Sequence, residues 1–204
     1  MKRERRKEAP DKREEILNAA LSVFVEHGFG ASRMDEVAKR AGVAKGTIYL
    51  YFPSKEELFK GLIENVASPP LEALQTLVDT SDADSEQLLR TMFAFVKREL
   101  LGTERRQVIH LILTEVHRFP DVARFYYENV VSRALGFLRT IMERGVARGE
   151  FRDCDLVRFP QLMAAPLPMA VFWSAIFEPF APLDVDRFMD THLDLLLTKL
   201  KVKS

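Results

Sequence analysis

Cysteine and long apolar runs are nearly absent from this chain of 204 residues, and both absences restrict what it can be. The one cysteine, Cys154, cannot form an intramolecular disulfide, which fits a reducing cytosol. No apolar stretch reaches the roughly 18 residues of a membrane-spanning helix, and no apolar run follows the charged N-terminus as in a secretory signal. We therefore expect a soluble, cytoplasmic protein without a membrane partner.

The motifs that carry catalysis are also missing. The sequence has no glycine-rich phosphate-binding loop, no nucleophile elbow and no cysteine–histidine pair with supporting context. His110 and His117 lie two helical turns apart, roughly 10 Å, and Leu113 and Thr114 between them are unsuitable metal ligands. The sequence thus predicts no catalytic residue, no metal and no cofactor, and a protein that is not an enzyme.

Charge is balanced overall but not along the chain. The 30 basic and 30 acidic residues cancel, which argues against a protein coated in positive charge for bulk nucleic-acid binding. Residues 1–10 nevertheless form a basic N-terminal arm, and the remainder of the chain leans acidic. Two interpretations of the arm stay open, a solvated extension and a segment that contacts phosphate.

The apolar pattern predicts an all-α fold. Hydrophobic residues make up 47% of the chain, enough for a real core, and they recur at helical spacing while strand signals are absent. A first helix begins near Pro10 and Asp11 and ends at Gly28. A short helix follows from Ser32, its predicted N-cap, to Gly42.

A second short helix is predicted over residues 44–52, and Pro53 ends it. A capping box over residues 54–57 then opens a longer helix, which we expect to break or kink at Ser68-Pro69-Pro70 where two domains meet. Further helices follow to residue 148, then a segment interrupted by Pro160, Pro166 and Pro168, and a final helix near residues 185–200.

Two short helices joined by a glycine-containing turn are typical of a helix-turn-helix, whose second helix enters the major groove of DNA. In this second helix Lys45 supplies charge for phosphate, Gly46 lets the backbone approach closely, and Thr47 can contact a base edge. The rings of Tyr49 and Tyr51 can lie along the sugar-phosphate wall. Residues 42–52 contain no acid, as proximity to a polyanion requires.

The residues from Ile16 to Phe59, with the run AALSVFVEHGFGASRMDEVAKRAGVAKGTIYLYFPSKEELF, resemble the DNA-binding domain of the tetracycline-repressor (TetR) family. The resemblance implies a dimeric, all-helical repressor whose larger domain binds a small molecule and releases DNA. It also implies DNA-binding roles at the following matching positions: Ser32, Arg33, Lys45, Gly46, Thr47, Tyr49, Tyr51 and Lys55. Phe52 fits the core better, and Val43-Ala44 replace polar residues of many relatives.

The expected domains are the arm at 1–10, the helix-turn-helix domain at 11–56, and a ligand-sensing and dimerisation domain at 57–204. In the last, the run LTEVHRFPDVARFYYENVV is similar to the sensor of multidrug-efflux regulators. Its candidate effector-binding residues offer large, adaptable or polar side chains, although core packing is the competing explanation for each. They are His110, Glu115, Phe125, Met163, Met169, Phe172 and Trp173.

The helices predicted at 155–177 and 185–200 are apolar on more than one face, so they either pack against a second copy of the chain or are buried within one subunit. The expected partners are double-stranded operator DNA, a small-molecule effector and a second copy of the chain. Two other classes stay open. One is a ligand-binding protein whose helix-turn-helix only packs, and the other is a helical enzyme that uses Glu115 with His110 or His117.

Overall fold

The structure, a computed structural model, describes residues 12–202, and within them helices account for all regular structure apart from one isolated bridge between Phe151 and Lys201. The all-α prediction is confirmed. The helices are α1 Lys12–His27, α2 Met34–Arg40, α3 Lys45–Tyr51, α4 Lys55–Thr80, α5 Ser85–Val96, α6 Arg105–Glu115, α7 Pro120–Tyr126, α8 Ser132–Ala147, α9 Asp155–Arg158, α10 Gln161–Ala164, α11 Pro166–Ile176 and α12 Val185–Leu200. The basic arm at 1–10 lies outside the described residues. No described helix is long and apolar enough to cross a membrane.

The chain divides into two compact units after Leu62, later than the expected boundary at residue 56. The reason lies in the first two turns of α4, where Leu58, Phe59 and Leu62 are buried. The Phe59 ring stacks on that of Phe29 with centroids 4.5 Å apart and meets the Phe24 ring edge-on at 5.7 Å. The start of α4 thus completes the core of the N-terminal unit.

Glycines end α1 and α2, as the sequence indicates. Gly28 and Gly42 have φ values of 77° and 66°, which residues other than glycine rarely adopt. After α2 the Gly42 amide donates to the carbonyl of Lys39 at 3.2 Å. The Val43 amide donates to that of Ala38 at 3.0 Å, which completes a Schellman motif. This motif is the turn of the helix-turn-helix.

The predicted N-cap of α2 was wrong by one residue. Arg33, not Ser32, is the N-cap, and its amide donates to the Glu36 carboxylate at 3.2 Å. Ser32 is buried, and its hydroxyl donates to the Gly28 carbonyl at 2.6 Å, at the end of α1. The hydroxyl is therefore turned away from the free amides of α2, and Glu36 caps the helix from its third position.

The expected break at Ser68-Pro69-Pro70 is not found, because α4 continues through both prolines to Thr80. Pro70 is buried, and Leu71 and Leu74 after it join the core of the second unit. Burial of the helix beyond the prolines stabilises it against the two lost backbone hydrogen bonds.

The C-terminal unit packs one core from four long helices. Its buried residues come from α4, α5, α8 and α12, together with Phe151 and Met163. The helices predicted up to residue 148 end with α7, a π-helical segment Tyr127–Val131, and α8, which follow one another without a gap. Prolines divide the next stretch into α9, α10 and α11, and α12 matches the final predicted helix.

Candidate DNA-binding and effector sites

One residue of α3 points into the core and the others face outward. Ile48 is fully buried. Gly46 and Leu50 lie two positions before and after it, about 200° around the helix, and therefore on the outermost line. A Cβ built on Gly46 meets nothing within 4 Å, and Leu50 is 85% exposed. The flanks of this line carry the predicted Lys45 and Tyr49 on one side, and Thr47 and Tyr51 on the other.

The side chains on these flanks are accessible. Tyr49 and Tyr51 are both exposed, Thr47 is half-buried, and Arg33 at the start of α2 is exposed. Phe52 is buried, as expected, and its ring lies under the Arg13 guanidinium at 5.4 Å. The outward surface of the helix-turn-helix therefore combines hydroxyls and cations with the apolar Leu50.

Lys45 has a carboxylate partner on α2. Its Nζ lies 2.9 Å from the Asp35 carboxylate, and this hydrogen bond raises the pKa of Lys45 above its usual value. Both side chains are more than half exposed, so the pair contributes little to stability. Lys45 therefore presents its ammonium at the edge of α3 in an exposed ion pair with Asp35.

Two of the predicted DNA-binding residues, Ser32 and Lys55, donate hydrogen bonds to backbone carbonyls of the N-terminal unit. The Nζ of Lys55 donates to the carbonyls of Phe29, Gly30 and Ser32 at 2.7, 2.9 and 3.0 Å. An ammonium has three donor protons, so these bonds account for all of them. Lys55 and the buried Ser32 thus hold together the loop between α1 and α2.

Arg40 joins α2 to α1 through a hydrogen bond and an ion pair. The guanidinium of Arg40 donates to the Ser22 hydroxyl at 2.8 Å and pairs with the Glu26 carboxylate. The hydrogen bond from Arg40 lowers the pKa of Glu26. Sequence reasoning missed this contact, since the partners are separated by a whole helix and a loop.

The effector candidates of α10 and α11 fall into different environments. Met163 is fully buried in the core of the C-terminal unit. Met169 and Phe172 lie on the exposed face of α11. The Trp173 indole donates to the Ala181 carbonyl at 2.7 Å and packs against Phe177, so it secures the loop after α11.

The remaining candidates belong to α6 and α7. His110 is partly buried, and its Nδ1 is shielded from solvent with no hydrogen-bond partner in the structure. Glu115 and Phe125 are also partly buried. On α7, burial raises the pKa of the Tyr126 phenol. An unpaired buried nitrogen is costly unless a ligand or water satisfies it, so His110 is the candidate that best fits a polar contact to an effector.

A cleft of about 530 Å³ lies elsewhere in the C-terminal unit. Both signs of charge line it, and the Lys97 ammonium pairs with Asp190 at 2.7 Å and with Asp186 at 3.6 Å. The lining residues are Ala94, Lys97, Arg98, Leu101, Gly102, Arg106, Ser174, Asp184, Val185 and Asp186. None of the seven effector candidates is among them. Lys97, Arg98 and Leu101 belong to a π-helical turn, which leaves no signal in the apolar pattern.

Comparison with protein families accounts for both units. Residues 16–62 match the family described as bacterial regulatory proteins, tetR family, and residues 78–192 match a tetracyclin repressor-like C-terminal domain. The chain belongs to the TetR family. The resemblance seen in the helix-turn-helix is therefore confirmed, and it extends through the C-terminal unit.

Two curated TetR-family relatives and one solved structure cover most of the chain. The transcriptional repressor NicS of Pseudomonas putida is 32% identical over 165 residues, which is 80% of this chain and 76% of NicS. The repressor KstR2 of Mycolicibacterium smegmatis is 24% identical over 91% of this chain and 89% of its own. Bacillus subtilis FadR, solved with stearoyl-CoA, shares the fold with a TM-score of 0.78 and 23% identity, over 91% of this chain and 98% of FadR.

As in its TetR-family relatives, the chain joins an N-terminal helix-turn-helix to a helical sensor-type unit. The part of the chain that the structure describes contains no cluster of side chains that could hold a metal ion. Of the predicted DNA-binding residues, the structure brings Arg33, Lys45, Gly46, Thr47, Tyr49 and Tyr51 to the outward surface of the helix-turn-helix.

Proposed function

We propose that this chain is a repressor that binds palindromic operator DNA as a homodimer and is released by a small apolar or amphipathic effector. The observation that carries the proposal is α3, a short helix anchored by one buried residue and free of acids. Its relative NicS is named a transcriptional repressor, which supports repression over activation. The protein would act in the cytoplasm, and nothing in this function requires a cofactor or a catalytic residue.

The contact assignment follows from exposure. Arg33 and Lys45 supply positive charge for phosphate, and the hydroxyls of Tyr49 and Tyr51 can donate to the sugar-phosphate backbone. Thr47 and the Gly46 backbone are available to base edges. In this proposal Ser32 and Lys55 act indirectly, by holding the loop that positions α2.

The start of α3 adds a backbone contribution. Its N-cap is Ala44, whose methyl group cannot accept a hydrogen bond, and no side chain caps the helix. The Thr47 amide donates to the Ala44 carbonyl, and the amides of Lys45 and Gly46 are left for another acceptor. Phosphate oxygens are suitable acceptors at a helix N-terminus. Many relatives have polar residues where this chain has the apolar Val43-Ala44. This replacement is consistent with a helix whose first amides donate to DNA instead of to a capping side chain.

Dimerisation is supported by the apolar face of α11. Phe172 and Ile176 are each 40% exposed, and with Met169 they form one line at helical spacing. Leu162 on α10 and Leu195 on α12 are exposed as well. A contiguous apolar face of this kind is typical of an isologous interface. Two protomers joined there could present their recognition helices about 34–36 Å apart, in successive major grooves.

The effector class is suggested by the cleft and by a relative. Apolar Leu101 and Val185 line the cleft together with charged side chains of both signs, Lys97, Arg98 and Arg106 as well as Asp184 and Asp186, which favours an amphipathic effector over a purely apolar one. FadR, with the same fold, was solved with stearoyl-CoA, an amphipathic molecule. His110, Glu115 and Phe125 do not line this cleft and stay candidate contacts on α6 and α7. The effector releases DNA only if it binds the DNA-free conformation more tightly.

The proposal is tested by selecting genomic fragments with the purified full chain at low and high salt. A regulator should enrich a palindromic site and lose affinity steeply as salt increases. Retained fragments are then challenged with long-chain acyl-CoA and with the free fatty acid. A folded dimer that enriches no site would overturn the proposal and favour a ligand-binding protein whose helix-turn-helix only packs.

A further inference from the structure

Leu50 is the most exposed large apolar residue of α3, the recognition helix. It is 85% exposed, whereas its neighbours Tyr49 and Tyr51 are each 42% exposed. Since Ile48 is fully buried, Leu50 lies on the line of α3 that is farthest from the protein core. A helix that enters a groove meets the base edges along this line.

The fold gives Leu50 no role. An isobutyl group that remains 85% in water makes almost no packing contribution, so a polar residue would serve the monomer as well. The same is true of Gly46, one turn earlier on the same line, where a Cβ would meet nothing within 4 Å. The outermost line of α3 therefore combines a missing side chain with an apolar one, and neither is explained by packing within the chain.

The surroundings of Leu50 identify the chemistry of its partner. No acid occurs from Gly42 to Phe52, and Lys45 stands at the edge of the helix, so the surface is suited to nucleic acid. Within the major groove the 5-methyl group of thymine is the apolar feature of the base edges. A leucine on the outer line of a helix in that groove complements a methyl group better than a hydrogen-bonding base edge.

We propose that Leu50 contacts the 5-methyl group of a thymine in each operator half-site and so sets the base preference at that position. The inference rests on the proposed function, since it requires α3 to enter the major groove. Gly46 assists, because the missing side chain allows this line of the helix to lie closer to the groove floor. Sequence preference would then depend partly on apolar contact as well as on hydrogen bonds from Thr47.

The experiment removes the methyl group from the DNA and the isobutyl group from the protein, separately and together. Deoxyuridine replaces thymidine one position at a time in the selected operator, and affinity is measured for the full-length wild type and for Leu50→Ala. At one thymine of the half-site we expect wild type to bind about fourfold more weakly without the methyl group, the value for one buried methyl-sized group. Leu50→Ala should bind both DNAs equally.

Two controls make the result specific. Val25→Ala shortens another exposed apolar side chain of the same unit, on α1, and should show the wild-type response to deoxyuridine. Leu50→Met retains apolar surface and should keep part of the response. Wild-type affinity that ignores deoxyuridine at every position, or an equal loss in wild type and Leu50→Ala, would overturn the assignment while leaving operator binding intact. Absence of operator binding by wild type would refute the proposed function and this inference together.

Discussion

The ammonium of Lys55 lies 2.7 Å from the carbonyl oxygen of Phe29 and 4.7 Å from the centre of the same residue's ring. One side chain thus makes a charge-assisted hydrogen bond and a cation–π contact with the loop between α1 and α2. The loop places α2, and α2 places the turn before α3. Lys55 therefore influences the recognition helix from the opposite end of the helix-turn-helix.

Replacing Lys55 with Met keeps the apolar stem and removes three hydrogen bonds. We expect the N-terminal unit to lose about 1–3 kcal/mol of stability in urea unfolding followed by circular dichroism, because the loop loses its hydrogen bonds from a charged donor. Lys39→Met, at an exposed position on α2, is the matched control and should change stability little. Unfolding of Lys55→Met at the wild-type urea concentration would contradict the structural role.

The same variant separates a structural lysine from a phosphate contact. Loss of a phosphate contact reduces the slope of log affinity against log salt by about one. We expect Lys55→Met to retain the wild-type slope at temperatures where it is folded. A reduced slope would restore Lys55 to the set of direct DNA contacts.

Gly46→Ala should affect DNA binding and not folding. Because open space surrounds the site of the new Cβ, we expect unchanged stability or a gain of up to about 1 kcal/mol from the better helix former. Operator affinity should fall as the methyl group separates α3 from the groove. Gly136→Ala on α8, where the Cβ also meets nothing within 4 Å, is the control and should leave affinity unchanged. Full operator affinity in Gly46→Ala would rule out close approach at this position.

Asp35→Asn should strengthen DNA binding. The substitution removes the carboxylate that pairs with Lys45 and a negative charge near the expected phosphates. Because an exposed ion pair is weak and competes only modestly with phosphate, affinity should rise by up to about fivefold in fluorescence-anisotropy titrations at low salt. Asp79→Asn, on α4 in the other unit, serves as the control. Weaker binding by Asp35→Asn would mean that the carboxylate orients Lys45 for its contact.

Charges on the exposed face of α11 should prevent dimerisation. Phe172→Glu with Ile176→Glu places like charges across a two-fold interface, and we expect the dimer to weaken by at least about a hundredfold in sedimentation velocity. Helicity should be preserved, since both side chains are exposed in the single chain. Val25→Glu, on the other unit, is the control for an added surface charge. A doubly substituted protein that sediments as a dimer would place the interface elsewhere.

Gly145→Ala should destabilise the C-terminal unit. A Cβ at this position would lie 2.3 Å from a carbon of the Phe151 ring, so the ring must move. We expect a loss of about 1–3 kcal/mol in thermal or urea unfolding, as for other overpacked cores. Gly136→Ala on the same helix supplies the control, and Phe151→Leu added to Gly145→Ala should recover part of the loss. No loss in the single variant would show that the ring relocates freely.

The helices of the N-terminal unit could be predicted because their ends depend on local chemistry. Gly28 and Gly42 adopt positive φ where the sequence places helix ends, and Ser54 accepts from the Glu57 amide as the capping box requires. The role of Lys55 could not be predicted in this way. Its acceptors lie 23 to 26 residues earlier in the chain and converge only when the loop is folded.

The positions of the effector candidates could not be predicted from the sequence either, for a different reason. The sequence of α11 is apolar at almost every position, so periodicity does not distinguish its inner and outer faces. Met163 proves to be core, whereas Met169 and Phe172 are exposed. Three residues that line the cleft, Lys97, Arg98 and Leu101, belong to a π-helical turn, and no apolar pattern predicts one.

The continuous passage of α4 through Pro69 and Pro70 has a mechanical consequence. Proline has no backbone amide hydrogen, so the carbonyls of Asn65 and Val66, four residues earlier, lack their usual helical donors. Bending at this point stretches fewer hydrogen bonds than bending anywhere else along the 26 residues of the helix. We therefore expect α4 to bend more easily at this point than in the segments on either side of it. The carbonyls without donors lie about one helical turn after Leu62 in the sequence.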